Sequence, residues 1–144
     1  QALKYGHQLP LAAWFGARLG QMLIAADHDL VLPLPLHPSR LRTRGFNQSL
    51  EIARPVARAL GLPIDPILLT RARATPPQAD LPFKERARNV RGAFECAGDL
   101  AGRRILLVDD VMTTGSTLRE AARILQLHSA GQITVGVAAR ALRQ

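Results

Sequence analysis

Apolar residues recur along the chain with helical spacing in two early stretches. Residues 11–26 place apolar side chains at every third or fourth position, which predicts a core-facing helix, and Pro10 suits its first turn. Residues 50–61 repeat this spacing and stop at a glycine, so they predict a second helix. Pro55 lies inside the second stretch, where it either kinks the helix or belongs to its first turn.

Continuous apolar runs of strand length alternate with the helices. Residues 29–36 form the first run, and its prolines require either an edge strand or a chain that leaves the sheet near Pro33. Further strands are predicted at residues 64–69, 103–110 and 132–142, with a helix at 116–131. This alternation predicts an α/β fold in which a mostly parallel, twisted sheet carries helices on both faces.

Two stretches show neither the helical spacing of apolar residues nor a continuous apolar run. Residues 37–49 are predicted to form a loop between the first strand and the second helix. Residues 70–94 carry many charges and paired prolines, and they are predicted to form a long mobile loop that has room for one turn of helix.

Length and composition narrow the class of protein. The 144 residues suffice for one domain with its own core and are too few for two ordinary ones. No apolar run approaches the roughly 20 residues of a membrane-spanning helix, and the chain does not open with a signal-peptide pattern, so a cytoplasmic location is expected. The single cysteine, Cys96, excludes an internal disulfide or a cysteine-rich zinc site within these residues and is interpreted as a small core residue.

Positive charge is concentrated in the middle of the chain. The net charge is +8, and between residues 37 and 91 eleven basic side chains stand against four acidic ones, a surplus of seven. An anionic partner is therefore expected, and the arginines suit bidentate contacts with phosphate. Genomic base bias also produces arginine-rich chains, so composition alone does not decide between the two explanations.

Candidate chemistry lies where the strand at 103–110 ends. Asp109 and Asp110 close the strand, and the segment VMTTGST follows at once. Gly115 permits a tight turn, and backbone amides at a helix start attract an anion, so the segment is predicted to be a phosphate cradle. A phosphate pressed against two carboxylates would be repelled, so the carboxylates are expected to face sugar hydroxyls, with a magnesium ion compatible nearby.

The segment ILLVDDVMTTGST, residues 105–117, closely resembles the phosphoribosyl-pyrophosphate motif of type I phosphoribosyltransferases. The stretches PLPLHPSRLRTRGFNQSLEIARPVARALGLP and RARATPPQADLPFKERARNVRGAFE resemble the competence-protein-F (ComF) branch of that family, and the matches together cover roughly residues 32–139. The resemblance implies the type I phosphoribosyltransferase fold. It also implies that Asp109 and Asp110 are the catalytic acids that hold the ribose hydroxyls. The implied 5′-phosphate loop consists of Thr113, Thr114, Gly115, Ser116 and Thr117.

Two further loops follow from the resemblance. The family's pyrophosphate loop, which often contains a strained cis peptide, corresponds to residues 36–45, and its expected contacts are made by Leu36, His37, Arg44 and Gly45, with Arg40 and Arg42 as added cations. The family's flexible loop corresponds to residues 71–91, with Arg73, Gln78, Arg86 and Asn89 as its polar candidates. The implied cofactor is Mg²⁺, held through the ligand near the two acids and without a direct protein ligand.

The implied reaction is transfer of the phosphoribosyl group from phosphoribosyl pyrophosphate to a nitrogenous base. Residues 1–144 are expected to form a single domain, with residues 1–28 contributing a helix and part of a hood over the base. Relatives in this branch usually carry a zinc-binding segment ahead of the domain; either the chain is a fragment, or this member lacks that segment. Two alternative functions stay open: a non-catalytic regulator that binds the activated sugar, and a competence accessory protein that contacts single-stranded DNA. Whether the chain forms a homodimer also stays open.

Overall fold

The computed structural model describes residues 2–23, 27–76, 80–112 and 115–140, with side chains from residue 10 to residue 139 of these ranges. Helices and strands alternate along most of this part of the chain. The elements in chain order are α1 (Ala2–Leu23), β1 (Leu30–Pro33), α2 (Pro38–Arg44), α3 (Gln48–Leu60), β2 (Leu69–Arg71), α4 (Phe83–Val90), β3 (Phe94–Cys96), β4 (Arg104–Met112), α5 (Ser116–Leu127) and β5 (Gln132–Arg140).

The main sheet is parallel and has the strand order β1-β4-β5. Val31 extends it on the other side of β1 through a parallel bridge to Ile64, closed by hydrogen bonds of 3.0 and 3.1 Å. As expected from the prolines, β1 ends at Pro33, and Leu34 makes the last hydrogen bond to β4 before the chain leaves the sheet.

Side chains of the central strands alternate between two apolar cores, which places helices on both faces as predicted. Val31, Leu106 and Val108 pack towards α3 and α1. Leu32, Ile105 and Leu107, on the opposite face, pack towards α5 and the two-stranded sheet of β2 and β3. The period of two in a strand produces this division, because consecutive side chains point to opposite faces. Cys96 packs at the margin of the second core, as the sequence suggested.

Helix α1 packs closely on α3 because its glycines leave room for the neighbouring backbone. A Cβ atom on Gly16 would lie 2.5 Å from the Ile52 carbonyl oxygen and would also meet the ring of Pro55. The helix begins at Ala2, nine residues earlier than predicted, so Pro10 lies in its interior. Pro55 likewise lies well inside α3, which begins at Gln48, so it is not a first-turn proline.

The continuous strand predicted at residues 64–69 is not found: this segment contains a single bridge residue, Ile64, then a turn and the start of β2. Asp65 accepts hydrogen bonds of 3.0 Å from the backbone N–H groups of Ile67 and Leu68, and this turn separates the bridge at Ile64 from β2. Strand β2 then pairs antiparallel with β3 in a separate two-stranded sheet.

Both stretches predicted as loops contain a helix. α2 lies in the first, with a proline in its first turn, His37 as its N-cap and Gly45 in the left-handed conformation at its end. α4 occupies eight residues of the second stretch and buries only Val90. α2 buries no residue, so hydrophobic periodicity could not reveal it, whereas α4 places Phe83, Ala87 and Val90 at helical spacing and is longer than the single turn that was predicted. Among the described residues no helix combines the length and apolarity that a membrane crossing requires.

A polar contact fixes the other edge of the main sheet, where β1 and β4 begin. Arg104 donates from its side chain to both carboxylate oxygens of Asp29, at 3.1 and 3.0 Å, and its backbone N–H donates at 2.8 Å. These hydrogen bonds lower the pKa of Asp29 to about 2. The carboxylate therefore stays ionised throughout the neutral range and holds the two strand starts side by side.

Candidate functional site

A cavity of about 240 Å³ lies at the carboxyl edge of the parallel sheet, between the ends of β1 and β4 and the starts of α3 and α5. Ligand sites in parallel α/β sheets form at this edge. Seven predicted site residues line the cavity: Leu36, Arg44, Asp109, Asp110, Gly115, Ser116 and Thr117. The sequence-based site is therefore largely assembled in one place.

Asp109 is the most deeply buried acid of the cavity, with 8% of its surface exposed. Its Oδ1 atom accepts hydrogen bonds from the Ser49 hydroxyl at 2.9 Å and from the Asp110 backbone N–H at 2.8 Å. The pKa of the Asp109 carboxyl is raised to about 7, first by burial and then by the neighbouring Asp110, while the Ser49 hydrogen bond opposes this shift. Near neutral pH this carboxyl can therefore gain or lose a proton.

Asp110 and the start of α5 form the adjacent wall. The Asp110 side chain is half-buried. Gly115 adopts the left-handed conformation, with φ of 79°, directly before α5, and as the N-cap residue it has no side chain that could cap the helix. The amides of this first turn consequently face the cavity with the positive end of the helix dipole. Thr113 and Thr114 lie outside the described residues.

The predicted pyrophosphate segment contributes some of its residues to the cavity and not others. Leu36, Arg40 and Arg44 line it. The side chain of His37 instead accepts from the Ser39 backbone N–H at 3.2 Å and caps α2. His37 and Gly45 are absent from the cavity wall, as is Arg42. All described peptide bonds are trans, including those after Leu36 and Arg44, so the cis peptide suggested by the family resemblance is not found.

The polar candidates of segment 71–91 bind the backbone of that segment. Arg73 donates to the carbonyl oxygens of Asn89 and Arg91 at 2.9 and 2.6 Å. Arg86 donates to Leu81, and Asn89 donates to the Pro76 carbonyl at 3.1 Å. None of these three candidates lines the cavity, and Gln78 lies outside the described residues. In this conformation they shape the segment itself.

Arg71, which the sequence reasoning did not single out, lies in the cavity wall and is only 8% exposed. Its guanidinium donates to the Thr75 hydroxyl and stacks 5.3 Å from the centroid of the Phe94 ring. Burial lowers the pKa of Arg71, and the nearby charges of Arg40 and Arg73 lower it further. No carboxylate of the described residues lies within ion-pair distance of Arg71.

Two further residues that the sequence reasoning missed lie at the start of α3, within the segment RGFNQS. Asn47 caps this helix, and Ser49 contacts Asp109 across sixty positions of sequence. Asparagine before an apolar helical pattern is a cap signal, so Asn47 was recognisable from sequence as the start of the helix. The contact of Ser49 was not, because it depends on the tertiary fold.

The cavity thus combines donors and acceptors suited to a phosphorylated sugar. Arg40, Arg44 and Arg71 supply cations, and the first turn of α5 supplies a second anion-binding position. Asp109 and Asp110 supply acceptors for hydroxyl groups. The described residues contain no group of three or more histidine, cysteine or acidic side chains able to hold a metal on their own.

Comparison with known proteins gives one matching family model and several relatives that are similar along nearly the whole chain. The family model "Phosphoribosyl transferase domain" matches residues 47–144. The chain is 36% identical to "DNA utilization protein YhgH" of Salmonella typhi over 97% of its own length and 65% of that protein. It is 32% identical to "Competence protein F" of Haemophilus influenzae over 98% of its length and 66% of that protein. The chain therefore spans about two thirds of the length of these relatives.

A solved structure shows the same fold. The purine phosphoribosyltransferase of Pyrococcus horikoshii superposes with a TM-score of 0.57 over 92% of this chain and 73% of that one, at 19% sequence identity. The predicted fold class, a type I phosphoribosyltransferase fold with a parallel sheet between two helical layers, is confirmed.

Replacing Asp109 by asparagine should stabilise the protein increasingly as pH rises from about 4 to about 7, with no further gain above that. The folded-state pKa of Asp109 lies above its value of 3.8 in the unfolded chain, so stability falls as pH rises between these two values. Asparagine stays neutral, keeps the acceptor for Ser49, and should gain on the order of 2 kcal/mol at the plateau. Urea unfolding at pH 4, 6 and 8 measures this difference.

Asp80→Asn is the matched control, because it makes the same substitution at an exposed carboxyl outside the cavity. A stability difference for Asp109→Asn that does not change with pH would contradict the raised pKa of the buried carboxyl.

Proposed function

Because the chain belongs to the phosphoribosyltransferase family, in the branch that includes competence protein F, we propose that it binds phosphoribosyl pyrophosphate with Mg²⁺ and transfers the phosphoribosyl group to a nitrogenous base. One observation carries this proposal. A single cavity brings together two adjacent carboxylates, the start of helix α5 and three arginines, which match the sugar hydroxyls, the 5′-phosphate and the pyrophosphate of one ligand.

The 5′-phosphate binds at the start of α5 in this proposal. Gly115 turns the chain without a side chain, and the amides of Ser116 and Thr117 follow in the first turn. An anion at this position is stabilised by the N–H groups and by the helix dipole. Thr113 and Thr114 complete the loop by the family resemblance alone.

The ribose hydroxyls bind to Asp109 and Asp110. Oδ1 of Asp109 already accepts two hydrogen bonds from the protein, so Oδ2 is the atom that is available for a sugar hydroxyl. A hydroxyl donor favours the ionised carboxylate and lowers its pKa. Sugar binding therefore releases the proton that burial favours on Asp109.

The pyrophosphate binds among Arg40, Arg44 and Arg71. Arg71 is the central member of this group because its guanidinium is buried and held in place by Thr75 and Phe94, and no carboxylate of the described part of the chain pairs with it. A buried cation without an anion is unfavourable, and a bound anion relieves that cost.

The reaction is displacement at C1 of the ribose. The bond from C1 to the pyrophosphate oxygen breaks with its electron pair on pyrophosphate, the base nitrogen bonds to C1, and the proton of that nitrogen passes to solvent. The three arginines stabilise the departing pyrophosphate, and the carboxylates stabilise the positive charge that develops on the sugar. No covalent intermediate with the protein is needed.

Magnesium fits this donor set as a partner of the ligand. Mg²⁺ prefers oxygen ligands and usually keeps substrate phosphates and waters in its coordination shell, so two nearby carboxylates without a third protein ligand suit it. When bound it would neutralise charge on the pyrophosphate.

Two other functions are tested alongside this one. A regulator would bind the activated sugar without turning it over. A DNA-handling role is favoured by the names of the relatives, which refer to DNA utilization and competence, and by exposed cations away from the cavity, including Arg42, Lys84 and Arg88. Single-stranded DNA binding that weakens steeply with salt and survives loss of both acids would support that role.

Calorimetric titration with phosphoribosyl pyrophosphate and Mg²⁺ tests the sugar site. The unmodified protein should bind, and Asp109→Asn combined with Asp110→Asn should weaken binding at least about 100-fold, because two acceptors for the sugar hydroxyls lose their charge. Thermal unfolding of the variant checks that it stays folded. Equal affinity of the unmodified protein and the double variant would show that the two acids do not bind the ligand.

Arg71→Met should weaken the binding of inorganic pyrophosphate about tenfold or more, because methionine keeps much of the packing on Phe94 and removes the charge. The matched control is Arg58→Met on the exposed side of α3, which should bind pyrophosphate normally. If both variants lose affinity equally, net charge and not the buried guanidinium is responsible.

Pyrophosphate release separates an enzyme from a regulator. With a panel of purine and pyrimidine bases, we expect at least one base to stimulate release above the rate of hydrolysis. Binding without release for every base would support the regulator. The panel is needed because no residue of the described part identifies the base.

A further inference from the structure

Asn47 uses both ends of its side-chain amide to join two parts of the site. Its Nδ2 donates to the carbonyl oxygen of Leu34 at 3.0 Å, and its Oδ1 accepts from the Ser49 backbone N–H at 3.0 Å. Leu34 follows the end of β1 and precedes the predicted pyrophosphate segment. The start of α3 is therefore tied directly to the chain that enters this segment.

Ser49 continues the connection to the first acid. Its hydroxyl is buried, with 4% of the residue exposed, and donates to Oδ1 of Asp109 at 2.9 Å. The Asp110 backbone N–H donates to the same oxygen. Two donors on one oxygen fix the rotation of the carboxyl group and leave Oδ2 for another partner.

We propose that Ser49 and Asn47 are positioning residues that hold the Asp109 carboxyl in register with the pyrophosphate segment, so that pyrophosphate binding favours sugar binding. The inference rests on the proposed function. It concerns the continuous series Leu34, Asn47, Ser49 and Asp109, in which each member is hydrogen-bonded to the next.

The series has a physical reason to act as a unit. All four members line the cavity, and Ser49 and Asp109 are buried, where a hydrogen bond is stronger and its loss costs more than in water. A shift of Leu34 on anion binding would displace Asn47 and with it the helix start that carries Ser49. The carboxyl would then turn with the Ser49 hydroxyl that donates to it.

Ser49→Cys tests the hydroxyl with little change in volume, because a thiol is a weak donor. The measurement is calorimetric affinity for ribose 5-phosphate, with Mg²⁺, in the absence and presence of saturating inorganic pyrophosphate. In the unmodified protein we expect pyrophosphate to tighten ribose 5-phosphate binding about fivefold, a typical coupling between two sites. In Ser49→Cys this enhancement should disappear, and ribose 5-phosphate alone should bind about tenfold more weakly.

Asn47→Ser tests the other end of the series. Serine still caps α3, but its shorter side chain cannot also reach the carbonyl oxygen of Leu34. Pyrophosphate should then bind without enhancing sugar binding, while ribose 5-phosphate alone keeps its affinity. Ser49→Thr, which retains the hydroxyl, should restore both affinity and enhancement.

Thr43→Ala is the matched control, since its exposed hydroxyl bonds only to the Ser39 carbonyl in α2 and its loss should change neither quantity. The proposal is overturned if Ser49→Cys and Asn47→Ser keep the enhancement of the unmodified protein, or if they lose affinity for sugar and pyrophosphate alike together with thermal stability. If the unmodified protein binds neither phosphoribosyl pyrophosphate nor ribose 5-phosphate, the proposed function itself fails.

Discussion

Parallel pairing of β1 with β4 determines where the charged groups of the site lie. The register sets Pro33 beside Val108, and the Leu34 N–H donates to the Val108 carbonyl at 2.8 Å. The next residues of both strands must then leave the sheet at the same edge, which brings Leu36 beside Asp109 in one cavity. At the opposite edge the Asp29–Arg104 contact resists slippage of the same pair. A shift of one residue would reverse the faces of both cores, so the apolar pattern and the site geometry enforce each other.

The positions of the buried charged groups in the cavity are explained only when a ligand is considered. Arg71 is buried without a carboxylate at ion-pair distance among the described residues, and Asp109 is buried with a raised pKa. Moving the two groups together would relieve both costs, yet the two-stranded sheet of β2 and β3 holds the guanidinium on Phe94, and Ser49 holds the carboxyl. The fold thus keeps a cation and an acid apart. In the proposed function, an activated sugar would supply an anion for the first and hydroxyl donors for the second, which would account for both positions.

The sequence revealed the parts of the site that are local and failed for those that are not. Strand β4 carries the two acids near its end, and the start of α5 follows it along the chain. A buried strand followed by a glycine turn is recognisable from pattern alone. Helix α2 was not predicted because it buries no residue and therefore has no apolar period. The roles of Ser49 and Arg71 were missed for another reason. Their roles depend on contacts with Asp109 and Phe94, which lie far along the chain, and no spacing rule relates such pairs.

Segment 71–91 divides into residues that face the ligand cavity and residues that hold the segment together. Arg73 and Asn89 bind backbone carbonyls on opposite sides of the segment, which draws its two ends together without any contact with the cavity. Arg71, at the end of β2, already points into the cavity in this conformation. A cation that is ordered before the ligand arrives loses little conformational freedom on binding, so it contributes more affinity than one brought in by closure of a loop. In the proposed function, pyrophosphate recognition would therefore not have to wait for a movement of the segment, and closure of the segment would act mainly to exclude water from the reacting carbon.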